Sequence, residues 1–481
     1  MLRSRPAGAV LCPHAMPGWV RELLPILILL AVIAAVIARL PRTGVEHSPA
    51  FRRRRFFNWF PVGLTYAFLY MARYNLNACI GPVFDKSQFA SIYFWGTLTY
   101  GFSFVINGPL ADKIGGKRTI LLAAGGSLAA NAGIGLVVLG ALNGKTVPAD
   151  ARAGLVPILS FLYALNMYFQ SFGAVSIVKV NSAWFHLRER GTFGGIFGIL
   201  ISLGLYFAYD WSSFILKATS PAWVFFVPAA ILGLFLLLDV VFVRDTPKLA
   251  GYDDFDLGDA SSGDTGERLP LWEVAKRMAT TPAIMTIALV EFCSGYLRNS
   301  ILQFYKPFAK DTGRAATDFV FNHWGMLNCV AGICGGVIAG LISDRVFGSR
   351  RGPVAAVLYG LMTVGAVAMF GLLPTGAIGW AVVVMSLAII GVHGMLSGTA
   401  SMDFGGKRNV GVAVGIIDGF VYLGTALEAL VLGRVLPKGD AARDPSNWWT
   451  WPAAMLPAAL IGLALASRVW NARPQAKEKT A

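Results

Sequence analysis

Long apolar runs, separated by short charged or Pro/Gly-containing stretches, dominate the pattern of this chain. A helix needs about 20 mostly apolar residues to cross the hydrocarbon layer of a membrane. Thirteen runs qualify as candidates, and the first, Leu23 to Ala38, is short and purely aliphatic. The other twelve are centred near Tyr66, Gly101, Ala130, Ala164, Ser202, Leu232, Val290, Ala331, Gly360, Val384, Val421 and Ala459. We therefore predict an all-α membrane protein.

A single long polar stretch, Arg244 to Thr281, divides the twelve runs into two sets of six. It is rich in Asp, Gly and Ser, which predicts a linker between two helical bundles. The predicted organisation is an N-terminal extension with one hydrophobic helix (1–55), two six-helix bundles (56–243 and 282–470), a cytoplasmic linker (244–281) and a cytoplasmic tail (471–481). For the extension we favour an uncleaved helix. A signal peptide, or a true start at Met16 or later, is the alternative.

Lys and Arg residues accumulate in alternate loops, which predicts the orientation of the chain in the membrane. One side carries Arg52 to Arg55, Lys113, Lys117, Arg118, Arg188, Arg190, Arg345, Arg350, Arg351, Lys407, Arg408, Arg468, Arg473, Lys477 and Lys479. The opposite loops are poorer in these residues. We predict that the rich side, and with it the C-terminus, is cytoplasmic, and that the protein lies in the plasma (inner) membrane.

The composition agrees with a membrane protein and limits the classes of function that the chain can have. The chain is 56% hydrophobic and 14% charged, and its net charge is +15. In a soluble chain such a charge would indicate nucleic acid, but here the cations lie in loops next to apolar runs, so the expected partner is the lipid bilayer. The five cysteines lack metal-ligand spacing. No catalytic or nucleotide-binding motif is present, so we expect no enzyme activity, no cofactor and no metal.

A loop motif occurs once in each half of the chain. Both copies have the form Gly-x-x-x-Asp followed by a cation and a basic pair, and they lie 232 positions apart. The residues that would gate the cytoplasmic face are Asp112, Lys113 and Arg118 in the first copy and Asp344, Arg345 and Arg350 in the second. An Asp at a helix end can pair with cations and with a neighbouring helix N-terminus, which would latch one conformation. The alternative is that these charges only set topology.

Two arginines lie inside predicted spans, where a charge is costly and therefore informative. Arg73 and Arg298 are each in the first helix of a half, and they are 225 positions apart, close to the spacing of the loop motif. Two guanidinium groups facing one cavity would bind a dianion such as phosphate. The alternative is internal salt bridges, for which Glu291, Asp418, Glu428 and Asp210 are available.

The repeated loop resembles the signature of the major facilitator superfamily, and further residues resemble its organophosphate:phosphate antiporters. These are the Tyr66-x-x-x-Tyr70-x-x-Arg73 run, Tyr100-Gly-Phe-Ser103, Arg298, Arg244-Asp-Thr-Pro247 and Tyr422-Leu-Gly424. The resemblance implies a twelve-helix fold of two bundles related by a pseudo-two-fold axis. It also implies that Arg73 and Arg298 bind phosphate and that Tyr66, Tyr70, Tyr100 and Tyr422 line the pocket.

At two positions the chain differs from glycerol-3-phosphate carriers, and these differences bear on the identity of the substrate. Glycerol-3-phosphate carriers have a lysine where this chain has Phe104 and a histidine where it has Ile201. We predict a monomeric carrier that exchanges an organic phosphate ester for inorganic phosphate by alternating access. The alternatives are a receptor for a phosphorylated metabolite with the same fold, and a proton- or sodium-coupled carrier of organic anions. His393, a lone polar residue in a predicted span, is expected to be packed or to face water.

Overall fold

The computed structural model describes residues 48–185, 199–253, 279–347, 351–396 and 401–471, together with Leu27 and Lys276. The predicted N-terminal helix and most of the linker lie outside these ranges. Twelve long helices occur in the described part. They are α1 (Pro49–Tyr74), α2 (Lys86–Ile114), α3 (Gly116–Ala141), α4 (Ala149–Ser182), α5 (Ile199–Ala218), α6 (Trp223–Phe242), α7 (Pro282–Asp311), α8 (Trp324–Arg345), α9 (Arg351–Leu372), α10 (Ile378–His393), α11 (Ser401–Val435) and α12 (Thr450–Arg468).

Local sequence explains where several of these helices begin and turn. Ser48 caps α1 by accepting a hydrogen bond from the Phe51 amide at 3.2 Å, and Pro49 occupies the first turn. Asp85 and Gln88 form a capping box at the start of α2. Gly115 alone separates α2 from α3, and its φ of +92° is one that a residue with a side chain rarely adopts.

Within the described ranges, nine helices are long and apolar enough to cross a membrane. The two helices that carry Arg73 and Arg298, α1 and α7, are not among the nine, and α8 contributes a shorter apolar stretch, Trp324–Ala339. Large apolar side chains such as Ile106, Phe161 and Leu237 are more than 60% exposed on the outside of the bundle. Such a surface is compatible with lipid and not with water.

The two halves repeat one packing pattern. In the first half α1 packs against α6, α2 against α4, and α3 against α6. In the second half α7 packs against α12, α8 against α10, and α9 against α12, which are the corresponding pairs. The expected fold of two related six-helix bundles is confirmed. The exact domain boundaries remain a prediction.

Helix α11 joins the halves by crossing both α2 and α7 at close range. A Cβ atom at Gly101 of α2 would lie 3.0 Å from the Gly419 carbonyl oxygen of α11. A Cβ atom at Gly424 of α11 would lie 2.0 Å from the Phe292 carbonyl oxygen of α7, so no side chain fits there. Small residues allow this backbone approach between membrane helices.

Polar contacts between the halves cluster at the predicted outer end, and we call this set the outer seal. Asp210, in a π-helical turn of α5, accepts hydrogen bonds from the Gly325 and Met326 amides at 2.8 and 2.9 Å and so caps α8. Lys306 of α7 donates to Ser213 of α5 at 2.8 Å. Two more contacts complete the outer seal, the hydrogen bond from the Asn77 amide to the Gln303 side chain and the salt bridge between Lys86 and Asp311.

At the predicted cytoplasmic end, the loop between α2 and α3 is held from within its own half. The Asp245 carboxylate accepts the Lys117 amide at 2.6 Å, next to Gly115 and Gly116. Trp184 donates to the Arg244 carbonyl oxygen at 2.9 Å. The segment after α6 is thereby fastened to the start of α3 and to the end of α4. Its carboxylate lies where a helix N-terminus favours negative charge.

Candidate functional site

Arg73 is completely buried near the end of α1, and each edge of its guanidinium group has a partner. Nε donates to Gln170 Oε1 at 2.8 Å, one terminal nitrogen donates to the Tyr422 hydroxyl at 2.8 Å, and the other donates to the Tyr100 hydroxyl at 2.6 Å. The Tyr70 and Tyr100 rings lie 4.6 and 4.5 Å from its central carbon. All these partners are neutral. Dipoles and aromatic faces therefore solvate the positive charge, and no carboxylate among the described residues forms a salt bridge with it.

Arg298 lies in the corresponding position on α7 and is 7% exposed. Among the residues that the structure describes, it makes no hydrogen bond or salt bridge. The Tyr422 ring centre lies 5.6 Å from the central carbon of Arg298 and also 5.6 Å from that of Arg73. One tyrosine ring from α11 thus faces both guanidinium groups. The two arginines predicted from their spacing are brought together across the boundary between the halves.

The four predicted tyrosines lie in two layers around this arginine pair. Tyr70, Tyr100 and Tyr422 contact Arg73 directly, and the Tyr100 and Tyr422 rings meet edge to face with centres 4.2 Å apart. Tyr66 lies behind them, with its ring centre 5.2 Å from that of Tyr70. Hydroxyl donors around a pair of guanidinium groups suit an anion with several oxygen atoms.

Gln170 is a site residue that the sequence analysis did not single out. It belongs to a buried amide network in which its side chain donates to Asn166 at 3.2 Å and Asn166 donates to the Ala72 carbonyl oxygen at 3.0 Å. Asn131 bonds to the same carbonyl at 3.2 Å. The available signal was the presence of amide side chains inside apolar helices, since such groups are rarely placed there without a partner. The network fixes the backbone and the side chain of Arg73 together.

Three of the four acids considered as partners for the arginines are engaged elsewhere. Glu291 pairs with His393 at 2.9 Å, Glu428 accepts from Asn299 at 2.5 Å, and Asp210 caps α8. Over the described ranges no carboxylate forms a salt bridge with Arg73 or Arg298. His393 therefore has an acidic partner, which the sequence analysis did not anticipate. The internal salt bridges considered as an alternative are absent from this part of the chain.

Phe104 forms an apolar wall of the site. Its ring is nearly parallel to the Tyr422 ring, with centres 5.8 Å apart, and it meets the Tyr100 ring at 4.7 Å. A lysine at this position would have added a third cation beside the arginine pair. A ligand whose charged group binds the arginines would therefore place its uncharged part against these aromatic rings.

Of the predicted gating residues, the structure describes only two side chains. Lys113 and Arg118 are both exposed. The side chains of Asp112, Asp344, Arg345 and Arg350 lie outside the described part, so the latch stays a prediction. The described carboxylate at this loop is Asp245, which the sequence analysis had noted only as part of a family resemblance.

Comparison with known proteins agrees with the fold. The family model for the Major Facilitator Superfamily matches residues 55–427. The chain is 25% identical to the glycerol-3-phosphate transporter of Bacillus subtilis over 457 residues, which cover 89% of this chain and 95% of that protein. It is 23% identical to the membrane sensor protein UhpC of Escherichia coli over 407 residues (78% and 84%). It is 23% identical to the phosphoglycerate transporter protein of Salmonella typhimurium over 368 residues (71% and 73%).

Solved structures show the same fold at low sequence identity. A bacterial homologue of the human lysosomal transporter Spinster has a TM-score of 0.64 at 13% identity, covering 88% of this chain and 98% of that one. A D-xylose-proton symporter has a TM-score of 0.62 at 16% identity, covering 88% and 99%. With its twelve described helices and its repeated halves, the chain is a multi-pass membrane protein that belongs to the major facilitator superfamily, a family of transporters and not of enzymes.

Proposed function

We propose that this protein exchanges an organic phosphate ester for inorganic phosphate, and that Arg73 and Arg298 bind the phosphoryl group. The observation that carries the proposal is a pair of buried guanidinium groups, both facing the Tyr422 ring and neither paired with a carboxylate in the described part of the chain. Buried charges are normally balanced, so a site with two unbalanced cations favours an anionic ligand.

The chemistry of the site favours a phosphoryl group over a carboxylate. A phosphoryl group has three terminal oxygens and close to two negative charges at neutral pH, so it can bind both planar guanidinium forks at once. The tyrosine hydroxyls supply further hydrogen-bond partners. Distant relatives named for glycerol 3-phosphate and phosphoglycerate transport support this class of substrate. Phe104 stands where glycerol-3-phosphate carriers have a lysine. The resemblance to those carriers therefore does not specify which ester is carried.

Alternating access supplies the mechanism. Each arginine is on the first helix of its half, so an anion between them attracts both halves to one midplane site. Binding can change the conformation only if the anion prefers the state in which both arginines reach it. Two unbalanced buried charges make it unfavourable for the empty carrier to pass from one conformation to the other. Because the empty carrier returns slowly, transport becomes an exchange.

Counterflow tests the proposal. Proteoliposomes loaded with phosphate are offered labelled glycerol 3-phosphate, glucose 6-phosphate, 3-phosphoglycerate and phosphoenolpyruvate in turn. We expect uptake of at least one ester that depends on internal phosphate and is lost in Arg298→Lys. Failure of every ester to enter phosphate-loaded vesicles would reject exchange of this class of substrate.

A receptor is the second candidate, because one relative is a membrane sensor protein. It would bind a phosphate ester at the same arginine pair without moving it. Ester binding to the purified protein, combined with no counterflow, would favour the receptor. The sodium- or proton-driven anion carrier differs from both, since its uptake would not need internal phosphate.

A further inference from the structure

A second buried pair of ionisable side chains lies in the second half, away from the arginines. Glu291 of α7 is 0% exposed, and its Oε2 atom lies 2.9 Å from Nδ1 of His393 on α10. Its other oxygen, Oε1, has no hydrogen-bond partner among the described residues. An ionised carboxylate in such a place is costly unless a proton is shared with it.

Among the described residues of the surrounding helices, no Lys or Arg forms a salt bridge or hydrogen bond with Glu291. From α9, the Tyr359 hydroxyl donates to the Val290 carbonyl oxygen at 2.6 Å, and Cys293 is the nearby thiol on α7 itself. The described acids of α11 are Asp418 and Glu428, which would repel negative charge. Helix α12 offers only Arg468, exposed at its end. A proton shared with His393 is then the charge that can offset an ionised Glu291 within the described part of the chain.

Glu291 lies on α7, the helix that carries Arg298, whereas His393 lies nearer the surface of the protein. Glu291 precedes Arg298 by seven residues, which is two helical turns and about 10 Å along the same face of α7. The His393 side chain is 20% exposed, whereas Glu291 is closed off. Directly after His393, α10 continues as a π-type turn over residues 394–396. Such turns are frequent at functional sites, because they widen the helix.

We infer that Glu291 and His393 form a proton-binding site that couples proton movement to transport. The chemistry of the cargo supplies a role. The second ionisation of a phosphate ester occurs near pH 6, so esters and phosphate cross as monoanions or dianions. When an ester dianion enters with one proton on the pair and a phosphate dianion leaves, each exchange carries one net proton inward. The inference rests on the transport proposed above and adds a coupled ion to it.

Proton movement during exchange is the first test. Phosphate-loaded proteoliposomes containing a trapped pH indicator are given external glycerol 3-phosphate, or another ester that the counterflow panel favours. We expect proton entry with the wild type. Glu291→Gln should retain ester uptake but lose proton entry at least tenfold, and His393→Gln, which can still donate to Glu291, should do the same. His323→Gln, a half-buried histidine bonded to a backbone carbonyl, is the matched control and should leave proton entry unchanged. Proton entry that persists in both Glu291→Gln and His393→Gln would overturn the inference.

A second test does not depend on which ester is carried. Infrared difference spectra of the purified protein between pH 5 and 9, recorded without ligand, detect the carbonyl band of a buried carboxylic acid as it gains or loses its proton. We expect one such band that disappears in Glu291→Gln, shifts in its pH midpoint in His393→Gln, and persists in Glu428→Gln, the matched change at another buried glutamate. If neither Glu291→Gln nor His393→Gln removes a carboxylic-acid or imidazole band that changes with pH, the pair is not a proton site, whatever the outcome of counterflow.

Discussion

At the residue scale, the site depends on the shape of the guanidinium group as well as on its charge. Arg73 uses all three of its nitrogens, each toward a different helix. A lysine would retain the charge but would reach only part of this geometry. We expect Arg73→Lys and Arg298→Lys each to weaken phosphate binding by about 2 to 4 kcal/mol and to remove most transport. Calorimetric titration with phosphate and labelled phosphate exchange measure the two effects. Near-normal exchange by either variant would contradict the proposed clamp.

Gln170 offers a sharper test of the charge balance around Arg73. Gln170→Glu is nearly isosteric and would place a carboxylate 2.8 Å from Nε. The new ion pair would compete with the anion, so we expect phosphate binding to fall by more than tenfold while the folded protein is retained. Gln170→Met, which removes one hydrogen bond without adding charge, should cost only about 1 kcal/mol. Equal phosphate affinities for these two variants would show that charge balance at Arg73 does not control binding.

The charged and the uncharged residues of the site differ in how well the sequence predicts them. Arg73 and Arg298 stand out because a charge within an apolar run is rare, and their spacing follows the internal repeat. Gln170 is 97 residues from Arg73 in the chain and carries no charge. Its role arises from the packing of α1 against α4, which an apolar pattern does not specify. The partner of His393 was likewise not predictable from the sequence, because Glu291 lies 102 residues away on another helix.

At the element scale, the outer seal joins a helix of one half to the N-terminus of a helix in the other. Asp210 satisfies two free amides of α8 while its charge complements the helix dipole. In Asp210→Asn the side chain would retain one acceptor and lose the charge. We expect this closed arrangement to weaken by about 1 to 2 kcal/mol, which corresponds to roughly a five- to thirtyfold shift toward an open outer end.

Thiol labelling detects that shift. Ala208 is buried on α5, close to Asp210, and Ala208→Cys in a cysteine-free background reports access from the outer side. An impermeant thiol reagent should label this position faster when Asp210→Asn is added. Asp150→Asn, an exposed acid at the same end of the molecule, should leave the labelling rate unchanged. If Asp210→Asn also leaves the rate unchanged, the cap on α8 does not hold the outer end closed.

At the scale of the whole molecule, periodic features were the predictable ones. The twelve predicted centres all fall within described helices, because a membrane favours long, mostly apolar helices; α1 and α7, which carry the arginines, are less apolar than most of the others. The repeat was visible in the loop motifs and the arginines, and the matching helix pairs of the two halves follow it. The contacts between the halves were not predictable. They depend on close backbone approach at α11 and on single polar pairs such as Lys86 with Asp311.

The measurement that tests the central claim most directly is phosphate self-exchange, since it needs no knowledge of the ester. Purified protein is reconstituted into vesicles with or without internal phosphate, and uptake of labelled phosphate is followed. We predict rapid uptake only when phosphate is present inside, and its loss in Arg298→Lys. Uptake that is equally fast into phosphate-free vesicles, or that is unaffected by Arg298→Lys, would contradict an exchange carried out by the arginine pair.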